Sequence, residues 1–497
     1  MPQGQIAKGA IISYASIFLN IAVTFFYTPW MIRQIGVSDY GLFSLVSSFL
    51  AYFILDFGLS GTIARFIAKY RAEGNQSKIE NMLGLTTKLY LIIDSIIFLI
   101  LFVCYFFLTE IFDGLTLEEI ERFKILYIIA GTFSILTFIW QPMNGAMMAY
   151  EYFVESKSID MIQRIGSVAC VVAVLLLGGR VYELVLVMGV TGFLASFVKF
   201  MVFRSKSEVK INWCFYDKNE VKSLMSFSIW VFLTSMAQRF RLSMMPAVLG
   251  IFANSTEISI FALGMAIEGM VYKLSSALNG LFLPKVTRIL HGGESKHEDI
   301  TNLMIRVGRL QLYIISLIIF GFWLVGKQFL KLWVGDDFKM SYYVVILLTI
   351  SNIISLTQHI ADNVIYAENK VRFTASMILL TSFLGLIIAA FLSPEMGALG
   401  CSIAFAFAVC SYLVAVNVFY QKELKINITR FFKECHLKIL PFLAILTVAF
   451  YLLKGFVRLS NWLEFGAFVG IYSLMYFIFA YLFLFNEEEK KIVRLRK

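Results

Sequence analysis

Apolar residues run along this chain in blocks of roughly 20, separated by short charged or Gly/Pro-bearing breaks, the pattern of helices that each cross a bilayer. The blocks predict spans near 9–31, 41–64, 84–108, 124–148, 161–178 and 181–203. After a basic connection the pattern resumes at 225–250, 258–282, 304–326, 341–365, 371–392 and 397–420, and it closes with a pair at 439–453 and 461–485. An all-α integral membrane protein of about fourteen spans follows, whose connections leave no room for a soluble catalytic domain.

Polar residues recur within several spans at steps of three and four, so they share a helix face that must meet protein or water rather than lipid. The first span carries Ser13, Ser16, Asn20, Thr24 and Tyr27, and the second carries Ser44, Ser48, Tyr52, Asp56 and Ser60. The seventh and eighth repeat the plan with Thr234, Gln238 and Arg241, then Glu268, Tyr272 and Asn279. Ser351, Ser355, Gln358 and Asp362 extend the set in the tenth span, and Thr86, Tyr90 and Asp94 in the third. Aligning Tyr40-Gly41-Leu42-Phe43 with Ile260-Phe261-Ala262-Leu263 suggests two parallel six-helix repeats, which sets domains at 1–208, 209–422 and 423–497. The last of these is a peripheral, lipid-facing helix pair with a basic tail.

Composition agrees: 59% of residues are hydrophobic and only 15% charged, well below a soluble protein. With Lys124, Arg164, Arg306, Arg309 and Arg372 at the span ends assigned to the adjoining connections, 29 of the 43 Lys and Arg fall at the N-terminus, the even-to-odd connections and the C-terminus, nine in the alternate connections and five within spans. Basic residues mark the cytoplasmic side, so both termini are expected there, in a cell membrane and without a nucleic-acid partner. Six scattered cysteines form no metal-ligand spacing, and neither metal nor cofactor is expected.

Charges inside spans carry the candidate chemistry. Arg239 and Arg241 fall near the middle of the seventh span, where a guanidinium must be paired or wetted. Either they pair with Glu268 or Asp94 to hold helices together, or they offer planar donor forks to an anion such as a pyrophosphate, with Lys273, Gln238, Asn20 and Tyr52 lining the same cavity. Lys88 and Lys199 read as snorkelling to the interface. Asp56, Glu268 and Asp94 are carboxylates that can gain and lose a proton, hence candidates for coupling to proton or sodium ions, with a permanent salt bridge as the alternative.

Tyr40-Gly41-Leu42-Phe43-Ser44-Leu45, then Leu55-Asp56-Phe57-Gly58-Leu59-Ser60 and Ala64-Arg65-Phe66-Ile67-Ala68-Lys69-Tyr70, resemble the start of bacterial Wzx-type polysaccharide flippases, within the multidrug/oligosaccharidyl-lipid/polysaccharide exporter superfamily. The resemblance implies two six-helix lobes about a central cavity. It also implies movement of an undecaprenyl-pyrophosphate-linked glycan, such as an O-antigen unit, across the bacterial inner membrane by alternating access. Polysaccharide polymerase and chain-length proteins are the partners it implies, besides membrane lipid. Arg241 departs from the acidic residue that such families often carry there. A multidrug exporter of the same fold and a membrane-embedded transferase or polymerase are the alternatives, and the central arginines and the absence of enzyme motifs argue against them.

Overall fold

The computed structural model describes residues 3–51, 59–207, 209–276, 282–290, 296–368, 370–457, 459–487 and 489–490, and every regular element among them is helical. In chain order these are α1 (Gln3–Ile35), α2 (Val37–Leu50), α3 (Leu59–Ala72), α4 (Gln76–Phe106), α5 (Leu108–Ile111), α6 (Leu117–Phe138), α7 (Pro142–Ala149), α8 (Phe153–Leu176), α9 (Val181–Ser207) and α10 (Lys218–Phe252). They are followed by α11 (Ser255–Ser276), α12 (Leu283–Leu290), α13 (Lys296–Trp333), α14 (Ser341–Ile350), α15 (Asn352–Ser355), α16 (His359–Ala367), α17 (Val371–Lys422), α18 (Ile428–Phe431), α19 (Leu437–Lys454) and α20 (Trp462–Phe479).

Among the described residues, nine helices are long and apolar enough to cross a membrane, and α14–α15 with α16, bent by 58°, is together long and apolar enough for a tenth. The 52 residues of α17 hold two crossings rather than one, because the helix breaks at Gly397. With α1, α10 and the α2 and α3 segments, every one of the fourteen predicted spans contains helix among the described residues.

Local chemistry sets the breaks. Gly397 adopts φ +52, and a Cβ there would lie 2.3 Å from the Glu257 carboxylate, so both backbone conformation and space require glycine. Glu257 in turn accepts the Ala398 N–H at 2.7 Å, which satisfies one of the donors exposed where the second half of α17 begins. At α6, Thr116 and Glu119 form a reciprocal capping box. The Asp217 side chain accepts from the amides of Asn219 and Glu220 to start α10.

The helices gather into two compact units, residues 1–262 with 378–404, and residues 263–377 with 405–497. In the first, α2 packs on α6 and α10, and α8 packs on α1 and α9. A Cβ on Gly41 would lie 2.1 Å from the Ser255 carbonyl oxygen, so glycine is what lets α2 meet the first turn of α11. One face of α4 (Ile92, Ile96, Leu99, Phe102, Phe106) is exposed, as a surface covered by lipid would be.

In the second unit α13 packs on α14, α16, α19 and α20 around Leu312, Ile315, Ile319 and Leu443. The final helix pair is less apolar in its middle than its hydropathy suggests. Tyr472 and Tyr476 of α20 are buried; Tyr476 donates to the Tyr313 carbonyl at 2.8 Å and shares a hydrogen bond with Ser316, and Tyr472 shares one with Thr447 of α19. The opposite face, with Ile445, Val448 and Leu474, is exposed.

Candidate functional site

Of the residues proposed for an anion site and for coupling, Tyr52 and Asp56 lie outside the described residues. Gln238 and Arg239 belong to α10, but their side chains also fall outside the description; Arg241, on the same helix, is half-buried. Asn20 is half-buried in α1, and its carbonyl accepts the Thr24 hydroxyl at 2.7 Å. These six positions and Asp94 fall in the residue range of the first unit, whereas Glu268 and Lys273 fall in that of the second.

Glu268 is buried, and its Oε1 accepts from Asn352 Nδ2 at 2.8 Å. Asn352 opens the short α15, just before the 58° bend, so the eighth span is tied to the broken tenth span through a carboxylate. Tyr272 and Lys273, one to one and a half turns further on, are exposed. The polar series of the tenth span collects at the bend itself. Gln358 Nε2 donates to Asn417 Oδ1 at 2.7 Å, His359 Nδ1 faces Asp362 Oδ2 at 3.1 Å, and Tyr420 donates to Asp362 Oδ1 at 3.1 Å. A broken helix frees backbone groups and brings side chains together that must satisfy one another away from water, which is why polar residues concentrate there.

Asp94 is 4% exposed in α4, and among the described residues it has no ion-pair partner and its Oδ1 no hydrogen bond.

Sequence reading missed a second basic cluster. Arg164 was counted with a cytoplasmic connection, but it stands in the middle of α8. Lys199 does not snorkel: its ammonium lies 2.7 Å from Asp160 and 3.1 Å from Asn144 Oδ1, and Asn144 donates to Gln141 at 2.7 Å. Lys88 does reach a connection, donating to the Phe215 carbonyl at 3.0 Å. The signal was present in Asp160 and Arg164, an i, i+4 pair inside a long apolar helix.

A junction at the far end of the first unit was missed as well. Glu119 of α6 accepts from Ser38 at 2.9 Å and from Ser255, the two serines are 3.0 Å apart, and Ser259 donates to the Val37 carbonyl at 2.5 Å. Arg122 and Asp39 pair beside it at 2.6 Å. The starts of α2, α6 and α11 thus close on one another through small hydroxyls and glycine. The Thr-x-x-Glu capping pattern at 116–119 marks one member in the sequence.

The chain superposes on the lipid II flippase MurJ in an inward closed conformation with a TM-score of 0.76, at 14% identity and covering 96% of this chain and 98% of that one. An inward-facing multidrug resistance MATE family transporter matches with a TM-score of 0.59, at 13% identity, over 85% of this chain and 99% of the other. At these identities the likeness establishes the fold. In sequence, the uncharacterized membrane protein EpsK of Bacillus subtilis (strain 168) is 20% identical over 96% of each chain. Residues 6–290, more than half of the chain, match the family described as polysaccharide biosynthesis protein, and the chain belongs to that family.

Proposed function

We propose that this protein is a flippase that carries an undecaprenyl-pyrophosphate-linked oligosaccharide, an O-antigen or other surface-polysaccharide unit, from the cytoplasmic to the outer leaflet of a bacterial inner membrane. The observation that carries the reading is a chain-long likeness to a lipid II flippase in a member of a polysaccharide biosynthesis family. It moves its cargo by alternating access and performs no chemistry on it. Arg239 and Arg241, with Lys273, Gln238, Asn20 and Tyr52, hold the pyrophosphate, since a guanidinium stays charged and matches phosphate oxygens with a planar fork. Asp56, Glu268 and Asp94 couple transport to protons or sodium ions. Both termini face the cytoplasm, the lobes are 1–208 and 209–422 with the helix pair at 423–497, and a polysaccharide polymerase and chain-length proteins act on the delivered unit.

The MATE likeness favours a second reading, a multidrug exporter. Such a protein handling organic cations has no use for two arginines in mid-span, and the flippase reading is preferred on that ground. The two separate in cells depleted of the protein. A flippase leaves lipid-linked sugar accumulating on the cytoplasmic side while its synthesis continues. Unchanged lipid-linked sugar on both leaflets, with increased sensitivity to cationic drugs, would establish the exporter instead.

A further inference from the structure

Residues 209–217, between α9 and α10, form no regular element, yet they are fastened along their length to α4. The Asn212 amide donates to the Glu80 carbonyl at 3.2 Å, the Asn212 side chain donates to Asn81 Oδ1 at 2.7 Å, and the Lys210 amide donates to the Glu80 carboxylate at 3.2 Å. Lys88 holds the far end by donating to the Phe215 carbonyl at 3.0 Å. A Cβ on Gly84 would collide with the Asn212 carbonyl, so glycine is what lets the connection lie flat on the helix. The backbone is committed, but two large side chains are not: Trp213 is 52% exposed and Tyr216 69%.

The depth of this loop follows from the helix beneath it. Gly84, Lys88, Ile92, Leu99, Phe102 and Phe106 recur at steps of three, four and seven, so they share one face of α4. From Ile92 onward that face is bare and apolar, whereas at Lys88 and Gly84 the loop covers it. Lys88 to Phe106 is about 27 Å at 1.5 Å per residue, close to a hydrocarbon core of about 30 Å. The lipid-facing stripe therefore ends at Lys88, and Gly84 lies about 6 Å further out. Asn212 is set at the level of Gly84 and Phe215 at that of Lys88, with Trp213 and Tyr216 each the next residue along. That is the headgroup layer, which suits rings with an apolar body and a polar N–H or O–H. Lys210 and Lys218, exposed on either side of them in sequence, are cations suited to lipid phosphates.

We propose that the 209–217 connection is an interfacial strap, whose Trp213 and Tyr216 side chains seat among the phospholipid headgroups of the leaflet that borders the Lys88 end of α4. Bilayer lipid is the occupant because the two rings continue the lipid-facing stripe of α4 at its end. The Lys/Arg count expects that leaflet to be the cytoplasmic one. The strap sets the depth of the connection between the proposed lobes just before the Asp217 cap that starts α10. It does not rest on the flippase reading.

Fluorescence of the full-length protein in phosphatidylcholine nanodiscs tests this placement, with the emission of Trp213 taken as the difference between the unaltered protein and Trp213→Phe. The difference emission should be quenched more by phosphatidylcholine brominated near the headgroup end of its chains than by lipid brominated near their methyl ends, and little by iodide in the water. Trp213→Phe combined with Tyr216→Trp moves the indole three residues along. Its emission, measured against Trp213→Phe, should show the same order of quenching. Strong quenching by iodide, with none by either brominated lipid, would put the loop in water and overturn the strap. Stronger quenching by the deeper bromines would overturn its interfacial depth. Quenching by none of the three would mean that protein covers the loop, a second copy or another chain, and would overturn it equally. Thermal unfolding identifies misfolding, and if Trp213→Phe does not fold, Trp213→Tyr serves as the reference.

Discussion

Arg309 and Glu489 stand 180 positions apart and meet as a buried ion pair, Nε to Oε1 at 2.6 Å and Nη2 to Oε2 at 2.9 Å. The guanidinium also donates to the carbonyls of Glu434 and Leu484 and to the Tyr313 hydroxyl, and Glu489 exchanges hydrogen bonds with Asn486. The segment after α20 is thereby fixed against α13, within one unit. With 7% and 4% side-chain exposure, neither charge can turn to water when the other is removed.

Glu489→Ala should accordingly destabilise the protein by about 3 kcal/mol, the cost of stranding a buried charge. Arg309→Met combined with Glu489→Leu should lose much less, because an apolar pair strands nothing. Thermal unfolding of the purified variants measures both. A single variant as stable as the unaltered protein would mean that water reaches the pair.

Ser38 and Ser255, whose hydroxyls are 3.0 Å apart, offer a direct handle on the junction around Glu119. If the proposed cycle opens the cavity at this end, the junction must part in every turnover. In a background lacking the native cysteines, Ser38→Cys with Ser255→Cys should form a disulfide under mild oxidant and stop export, with reductant restoring it. Continued export by the fully cross-linked protein would show that this end stays closed throughout.

The course of the helices was legible in the sequence because a bilayer leaves apolar blocks of one length, and even the division of α17 could be read from Ser393-Pro394-Glu395-Met396-Gly397. Partners were not legible. Arg309 and Arg164 lie close to basic connections in sequence and were counted with them, since a hydropathy pattern says how deep a residue lies only to within a turn or two. Glu268 lies buried, and its contact with Asn352 depends on a bend in the tenth span that no local spacing encodes. The hydroxyl junction was hidden for a similar reason, since Ser38 and Ser255 are ordinary residues until Gly41 lets their helices meet.

On the proposed anion site, Arg239→Ala and Arg241→Ala should each abolish export while the protein remains inserted and folded. Lysine in either place should restore export only in part, since an ammonium keeps the charge but loses the bidentate fork. Export and membrane abundance measured together decide the matter. Normal export by the double alanine variant would remove these residues from the binding of the cargo.

Coupling places the strictest demand on geometry. A carrier driven by an ion gradient needs a group whose charge changes as it meets each side, and each unit of pKa difference between the two states biases them by about 1.4 kcal/mol. Glu268 is buried, and its contact is to the residue that opens α15, so a change in its charge alters the strength of a hydrogen bond at a bend, where a helix yields most easily. Glutamine keeps the size and can still accept from Asn352 through its carbonyl oxygen, but it cannot change charge. Glu268→Gln should therefore bind cargo normally, turn over more slowly and lose its dependence on the proton or sodium gradient, and Asp56→Asn should behave alike. Reconstituted vesicles in which each gradient is collapsed in turn give the measurement. Transport by both variants that still falls fully on collapse of the driving gradient would leave Glu268 as a strut for the bend and move coupling to another carboxylate, with Asp94, buried and without an ion-pair partner among the described residues, next to be replaced.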